Sequence, residues 1–197
     1  MTLQQICQSI RECNACSLKQ NTLVSGFHEN GNFNSKIIIV GEALGKEEAK
    51  NGLPFQGKCG KLLDKMLHSI GIDRNSIFIG NLVNCRPVKD DTDSDRPPTK
   101  EEIAFCKHFI EEIIDEIKPE LIITLGGVSF KSLTGNDNIP VGESLKGEHP
   151  NRFSYKCVPL WPMYHPSYIL RDYHSGILNY WESWLKIRKY LEVNKIV

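Results

Sequence analysis

Residues 36–48 read Lys36-Ile37-Ile38-Ile39-Val40-Gly41-Glu42-Ala43-Leu44-Gly45-Lys46-Glu47-Glu48. The β-branched apolar run has no polar alternation, which predicts a strand buried on both faces. It stops at Gly41 and gives way to a polar loop, Gly41 to Gly57. Leu62, Leu63, Met66, Leu67 and Ile70 then recur at helical spacing, with Gly71 as a C-cap. Ile77–Val83 predicts a second strand, and Pro87–Pro98, rich in Asp and Pro, an exposed loop. Thr99 and Glu102 form a capping box for a helix that runs to Ile117 and is stopped by Pro119. Leu121–Leu125 predicts a third strand ending at Gly126-Gly127. A short helix and an irregular segment to Asn151 follow. Cys157–Trp161 predicts a fourth strand, and Ile177, Trp181, Trp184, Leu185 and Leu191 mark a last helix. Residues 2–12 read as a short first helix leading into Cys13.

Strands alternating with helices predict an α/β domain with a parallel sheet covered on both faces. Its length, 197 residues, fits a single domain spanning 1–197. Ligands of such sheets bind at the carboxyl ends of the strands. Four places come forward: Gly41–Glu48, Asn81–Arg86, Gly126–Gly127 and Tyr164–Arg171.

Composition narrows the class. Hydrophobic residues make up 40% and charged residues 24%, as in an ordinary globular chain. There is no apolar run near the length of a membrane span, and the opening MTLQQICQSIRECNAC has no apolar signal-peptide core. A cytoplasmic monomer without membrane contact is the expectation. Lys plus Arg and Asp plus Glu both total 24, so net charge neither announces nor excludes nucleic acid; a local basic face is enough for a transient reader.

Seven cysteines in such a chain favour metal or catalytic roles over disulfides. Cys13 and Cys16 form a CxxC pair. Cys85 lies just past the second strand and Cys106 about two turns into the following helix. Four thiolates around one centre suit zinc or iron–sulfur, and the spacing does not choose between them. The alternative is that Cys85 and Cys106 are small buried hydrophobes. Cys7, Cys59 and Cys157 read as structural.

Three separated motifs carry a resemblance. Gly41–Glu48, with Gly52-Leu53-Pro54-Phe55-Gln56-Gly57, resembles the first active-site motif of family 4 uracil-DNA glycosylases. His165-Pro166-Ser167-Tyr168-Ile169-Leu170-Arg171 resembles their second motif. Asn81-Leu82-Val83-Asn84-Cys85-Arg86-Pro87 matches their strand-end asparagine and cluster cysteine. The resemblance runs from Cys13 to about Arg171. It implies a three-layer α/β/α sandwich around a mostly parallel four-stranded sheet. It also implies a 4Fe-4S cluster on Cys13, Cys16, Cys85 and Cys106, ordering loops near DNA. Two departures stand out. Leu44 occupies the family's proline position, and the acidic Asp90–Asp95 loop is longer than usual.

The implied reaction is base-excision repair: hydrolysis of the N-glycosidic bond of uracil in DNA, leaving an abasic site. The sugar becomes oxocarbenium-like and uracil departs as an anion, so catalysis calls for donors aimed at the departing oxygen. By resemblance His165 donates to uracil O2 as a neutral imidazole. Asn81 reads O4 and N3–H with one carboxamide. Asn84, at an odd offset along the strand, is a weaker candidate. Phe55 stacks on the flipped base. Glu48 lies beside the uracil C5 edge or near the attacking water, and Glu42 opens the pocket together with the backbone of Gly41 and Ala43. Ala43 stands where some relatives carry a water-activating aspartate, and a positioned water suffices for an electrophilic sugar.

The base must leave the stack first. Ile169 or Leu170 is either a wedge into the gap or part of the core. Arg171 and Ser167 are placed on the DNA, and Gly126 and Gly57 allow close backbone approach to phosphate. A non-catalytic iron–sulfur or zinc DNA-binding module, and a glycosylase of altered base range, are the competing readings. The branch that uses a loop histidine covalently is disfavoured, because its extra basic loop is absent from the sequence.

Overall fold

The computed structural model describes residues 1–18, 33–90, 92–136 and 153–197. The sheet has five strands: β1 (Ile37–Ala43), β2 (Phe78–Val83), β3 (Leu121–Leu125), β4 (Ser154–Tyr155) and β5 (Val158–Met163). Their order is β2-β1-β3-β5-β4. The four expected strands are parallel. The fifth corrects the four-stranded expectation: β4 pairs antiparallel with the start of β5 through Tyr155 and Val158. Lys156 and Cys157 link them, both at positive φ (47° and 68°). This is the twist that a two-residue hairpin needs. Cys157 is therefore an exposed turn residue rather than the first residue of a strand.

The chain leaves β1 for β2 on one side, then crosses back to β3 on the other. That reversal puts a crevice at the carboxyl ends of β1 and β3. Alternation along each strand divides the core. Ile37, Ile39, Ile123 and Leu125 pack with α3 (Lys58–Ser69) and the last helix, α7 (Tyr173–Val193), through Leu63, Leu67, Trp184 and Leu191. Ile38, Val40, Ile122 and Leu160 pack with α1 (Leu3–Glu12), α4 (Lys100–Ile117) and α5 (Gly127–Thr134), through Ile6, Ile110, Ile113 and Phe130. An apolar run without polar alternation is what a strand covered on both faces requires. Among the described residues, no helix is long and apolar enough to cross a membrane.

Several boundaries moved. β1 continues past Gly41, because Gly41 still pairs with Asn81 and Ala43 with Val83. β5 runs on through Pro162 to Met163. The ladder with β4 ends at Pro159, so at Pro162 no strand among the described residues lies on the outer side of β5 to require a backbone N–H. The loop Gly41 to Gly57 contains a short helix, α2 (Lys46–Asn51), with Glu47 and Glu48 in its first turn and Gly52 as a left-handed cap. A last short helix, α6 (Pro166–Arg171), follows β5. The capping box Thr99/Glu102 formed as expected. From residue 137 the irregular segment to Asn151 lies outside the described residues.

The stretch 87–98 is not a plain exposed loop. It doubles back on itself through a Val88–Asp95 bridge. The buried Arg86 guanidinium holds Asp93 and Asp95 at 2.6 Å each, and Lys46 on α2 also pairs with Asp93. Lys46, and after it Arg86, pull the Asp93 carboxyl down to about 2.

The turn into α3 depends on one missing methyl. Phe55 sits at φ 54°. Its carbonyl oxygen lies 1.7 Å from where a Cβ on Gly60 would stand. Alanine at Gly60 gains about 1 kcal/mol of helix propensity and meets an immovable backbone atom. The clash wins, and Gly60→Ala is expected to cost about 3 kcal/mol. Thermal melts should show a midpoint lower by roughly 6–12 °C; a midpoint within about 2 °C of the native protein would refute this account of the turn.

Candidate active site

The loops after β1, β2, β3 and β5 surround one cleft of about 930 Å³. At its base, Gly41 on β1 faces its register partner Asn81 on β2. A Cβ on Gly41 would lie 2.3 Å from Asn81 Oδ1 and 2.7 Å from Phe55 Cζ. Glycine alone lets the carboxamide and the ring close over the strand end. Asn81 is 3% exposed, and its Oδ1 is buried without a hydrogen-bond partner. A buried acceptor left unpaired costs about 1–3 kcal/mol unless something fills it. The Asn81 residue lines the cleft.

The Phe55 ring is held from two sides. Glu48 Oε1 accepts the N–H groups of Gln56 (2.8 Å) and Gly57 (3.0 Å). Arg74 donates to the Pro54 carbonyl at 2.6 Å. Glu48 thus clamps the loop carrying Phe55, and its carboxylate is partly committed to that task. Gly57 lines the cleft, but its amide is taken by Glu48 rather than open to a phosphate. Glu42 lines the same cleft half-buried, and burial pushes its carboxyl up.

His165 lies two residues past the end of β5 and caps α6. Its Nδ1 accepts the Ser167 N–H at 3.1 Å and lies 2.8 Å from Ser167 Oγ. An Nδ1 that accepts leaves the proton on Nε2. Burial is the main cause that pushes His165 down to about 4; Glu48 opposes this and Arg171 reinforces it. The side chain is therefore a neutral N–H donor at neutral pH. Its ring centroid lies 6.0 Å from that of Phe55. Gly126, at φ 98°, leaves 3.3 Å between its absent Cβ and His165 Cβ. Its N–H donates to Met163 O at 2.8 Å. Gly126 makes room for the imidazole rather than offering an amide to DNA.

The four expected cysteines meet elsewhere. Cys13, Cys16, Cys85 and Cys106 line one small pocket walled by Ile10, Val83, Phe105 and Phe109. Cys106 Sγ accepts from the backbone N–H of Asn84 (3.3 Å) and from its Nδ2 (3.5 Å). Burial pushes the Cys106 thiol up to about 11. Among the described residues no three His, Cys, Asp or Glu side chains are grouped as a metal-holding set. The four cysteines share the lining of this one pocket. Asn84 faces this pocket rather than the cleft, as its odd offset from Asn81 requires.

The sequence model of the uracil DNA glycosylase superfamily matches residues 28–188. The type-4 uracil-DNA glycosylase of Thermotoga maritima is 34% identical over 172 residues, covering 86% of this chain and 84% of the relative. That of Pyrobaculum aerophilum is 34% identical over 177 residues, covering 87% and 86%. That of Sulfurisphaera tokodaii is 34% identical over 172 residues, covering 84% and 74%. The chain belongs to the type-4 uracil-DNA glycosylase family.

For a type-4 glycosylase chain, the placement of the expected residues is informative. Glu42, Ala43, Glu48, Phe55, Asn81 and His165 all border the one cleft, as do Gly57, Gly126, Ser167 and Arg171. Gly41 lies beneath Asn81 and Phe55. The sequence reading missed Gly60 and Arg74, which set the Phe55 turn, and the 87–98 hairpin, whose Asp95, Arg96 and Pro97 wall the cleft. The juxtaposition of Arg86 with four nearby aspartates was the available signal for the hairpin.

The folded value of His165 lies below the ordinary 6.5. As pH falls, the unfolded chain takes the proton first. Stability attributable to this group is therefore lost between pH 6.5 and about 4 and is constant above 6.5. Imidazole NMR should show the Nε2–H tautomer at neutral pH and a midpoint near 4. A His165 midpoint at or above the ordinary value would remove the neutral-donor geometry.

Proposed function

We propose that this chain is a monofunctional DNA repair hydrolase. It binds uracil extruded from DNA in the cleft and cleaves its N-glycosidic bond, leaving an abasic site. The supporting observation is the shared cavity of a buried, unpartnered Asn81 Oδ1 and a neutral His165 N–H, with Phe55 between them. Uracil N3–H satisfies the orphaned acceptor, and the carboxamide N–H is matched to O4. Phe55 offers its ring to the base face.

As the bond to the sugar lengthens, negative charge collects on the uracil oxygens. His165 Nε2–H, fixed in tautomer by Ser167, stabilises that charge without protonating the base fully. Water reaches the sugar from the side bordered by Glu42 and Ala43. Arg171 and Ser167 at the rim hold the backbone of the extruded strand.

Cys13, Cys16, Cys85 and Cys106 fit a 4Fe-4S cluster, and the fit rests on the donor set. Four soft thiols face one apolar cavity, with two N–H groups on one sulfur. When bound, the cluster supplies a cross-link joining the end of α1, the exit of β2 and α4. That tie holds the strand end from which Asn81 projects.

A uracil-containing oligonucleotide, treated with alkali after incubation, reads the reaction as strand scission. His165→Ala should lower kcat about 10²–10³-fold, and Asn81→Ala should lower kcat/KM comparably. Scission by either variant at the native rate would remove these roles, and no scission by the native protein would reject the function. The purified protein should absorb near ~400 nm, and Cys85→Ser should abolish the band. A colourless protein holding zinc would replace the cluster assignment.

A further inference from the structure

In the turn after His165, the sequence leaves Ile169 and Leu170 open between a wedge and the core. Ile169 belongs to the core: it is 3% exposed and lies in the cluster that also contains Trp184. Leu170 is half-buried against the same core. The side chain that α6 turns toward the rim is Tyr168, 54% exposed. Its ring stacks on Tyr164, with centroids 4.9 Å apart and planes 12° from parallel. Arg171 Cζ lies 5.6 Å from the centroid of the same ring. All three side chains border the cleft that contains His165. The Tyr168 N–H donates to His165 O at 2.9 Å, so platform and imidazole ride on one turn of backbone.

We infer that Tyr168, backed by Tyr164 and flanked by Arg171, is a stacking subsite for the nucleobase adjacent to the extruded one. This rests on the glycosylase reading and deepens it. Flipping one nucleotide strips its neighbour of a stacking partner. An exposed phenol ring at the rim restores that contact whatever the neighbour's identity, because every base has a π-face. Tyr164 already fixes the Tyr168 ring, so less rotamer freedom is lost when a base arrives. The Arg171 guanidinium shares the stack and also reaches phosphate, so it reads the strand between the two bases. Phe55 and Tyr168 then divide the work: one receives the flipped base inside, the other its neighbour outside.

The test uses single-stranded DNA carrying 2-aminopurine next to a stable abasic analogue, which binds without being cleaved. Native protein should quench 2-aminopurine fluorescence on binding. Tyr168→Ala should lose the quench and bind about tenfold more weakly, while Tyr168→Phe keeps both. With uracil-containing DNA, the loss in Tyr168→Ala should fall on KM rather than kcat, with the melting midpoint unchanged. Equal quench and affinity in Tyr168→Ala would overturn the subsite. A native protein that quenches 2-aminopurine yet leaves uracil in place would instead reject the glycosylase reading and keep the stacking site.

Discussion

The site depends on the empty space above Gly41. β1 and β2 are parallel neighbours about 4.8 Å apart, and Gly41 and Asn81 are partners in that ladder. Any side chain at Gly41 would occupy the position now held by Asn81 Oδ1 and the edge of the Phe55 ring. With glycine there, a carboxamide from one strand and an aromatic ring from a distant loop meet over the same Cα. The sheet supplies the distance, and the loops are fitted to it. Phe55 accepts a positive φ to reach this point, and Gly60 accepts its carbonyl. Strain of this kind is held by Glu48, Arg74 and the packing of α3.

His165 approaches from the other side of the switch point under a different constraint. As N-cap of α6 it spends Nδ1 on the first turn of the helix. The capping bond, ordinarily a stability device, here decides which nitrogen carries the proton. Burial then keeps the ring neutral. One local hydrogen bond thus links helix initiation to the polarity of the group facing Phe55, and the proximity of Arg171 strengthens the same outcome.

The sheet was legible because its residues carry redundant signals. Ile37–Val40 and Leu121–Leu125 are apolar on both faces, and Thr99/Glu102 announces α4 by its side chains. The hairpin between β4 and β5 was not legible, since Lys156 and Cys157 are poor markers for a turn that needs positive φ twice. Pro162 hid the end of β5 for a similar reason: its tolerance comes from β4 pairing only with the start of β5 among the described residues, a tertiary fact. The motif residues were legible as a set, and their division of labour was not. Glu48 reads as a group beside the uracil C5 edge or the attacking water, yet it spends an oxygen on two backbone amides. Ile169 reads equally as a wedge or as core, and it packs in the core while α6 turns Tyr168 outward.

The two departures that the motif resemblance implies, Leu44 and the acidic segment, meet at one place. Proline in the loop after β1 would fix φ and remove a donor; Leu44 does neither. It is, however, 2% exposed, so its side chain anchors the loop by burial. The longer acidic segment then supplies the remaining restraint. Arg86 holds Asp93 and Asp95, Lys46 joins Asp93 from the first turn of α2, and an Asp95 oxygen lies 3.5 Å from the site of a Gly45 Cβ. A surface ion pair alone contributes little, but Arg86 is buried and makes its bonds in a fixed fork. The stiffness that a proline ring would build into one residue is spread here over a buried leucine and a hairpin. These are therefore two parts of one local solution, which keeps Gly45 and α2 in place so that Glu48 can hold the Phe55 loop.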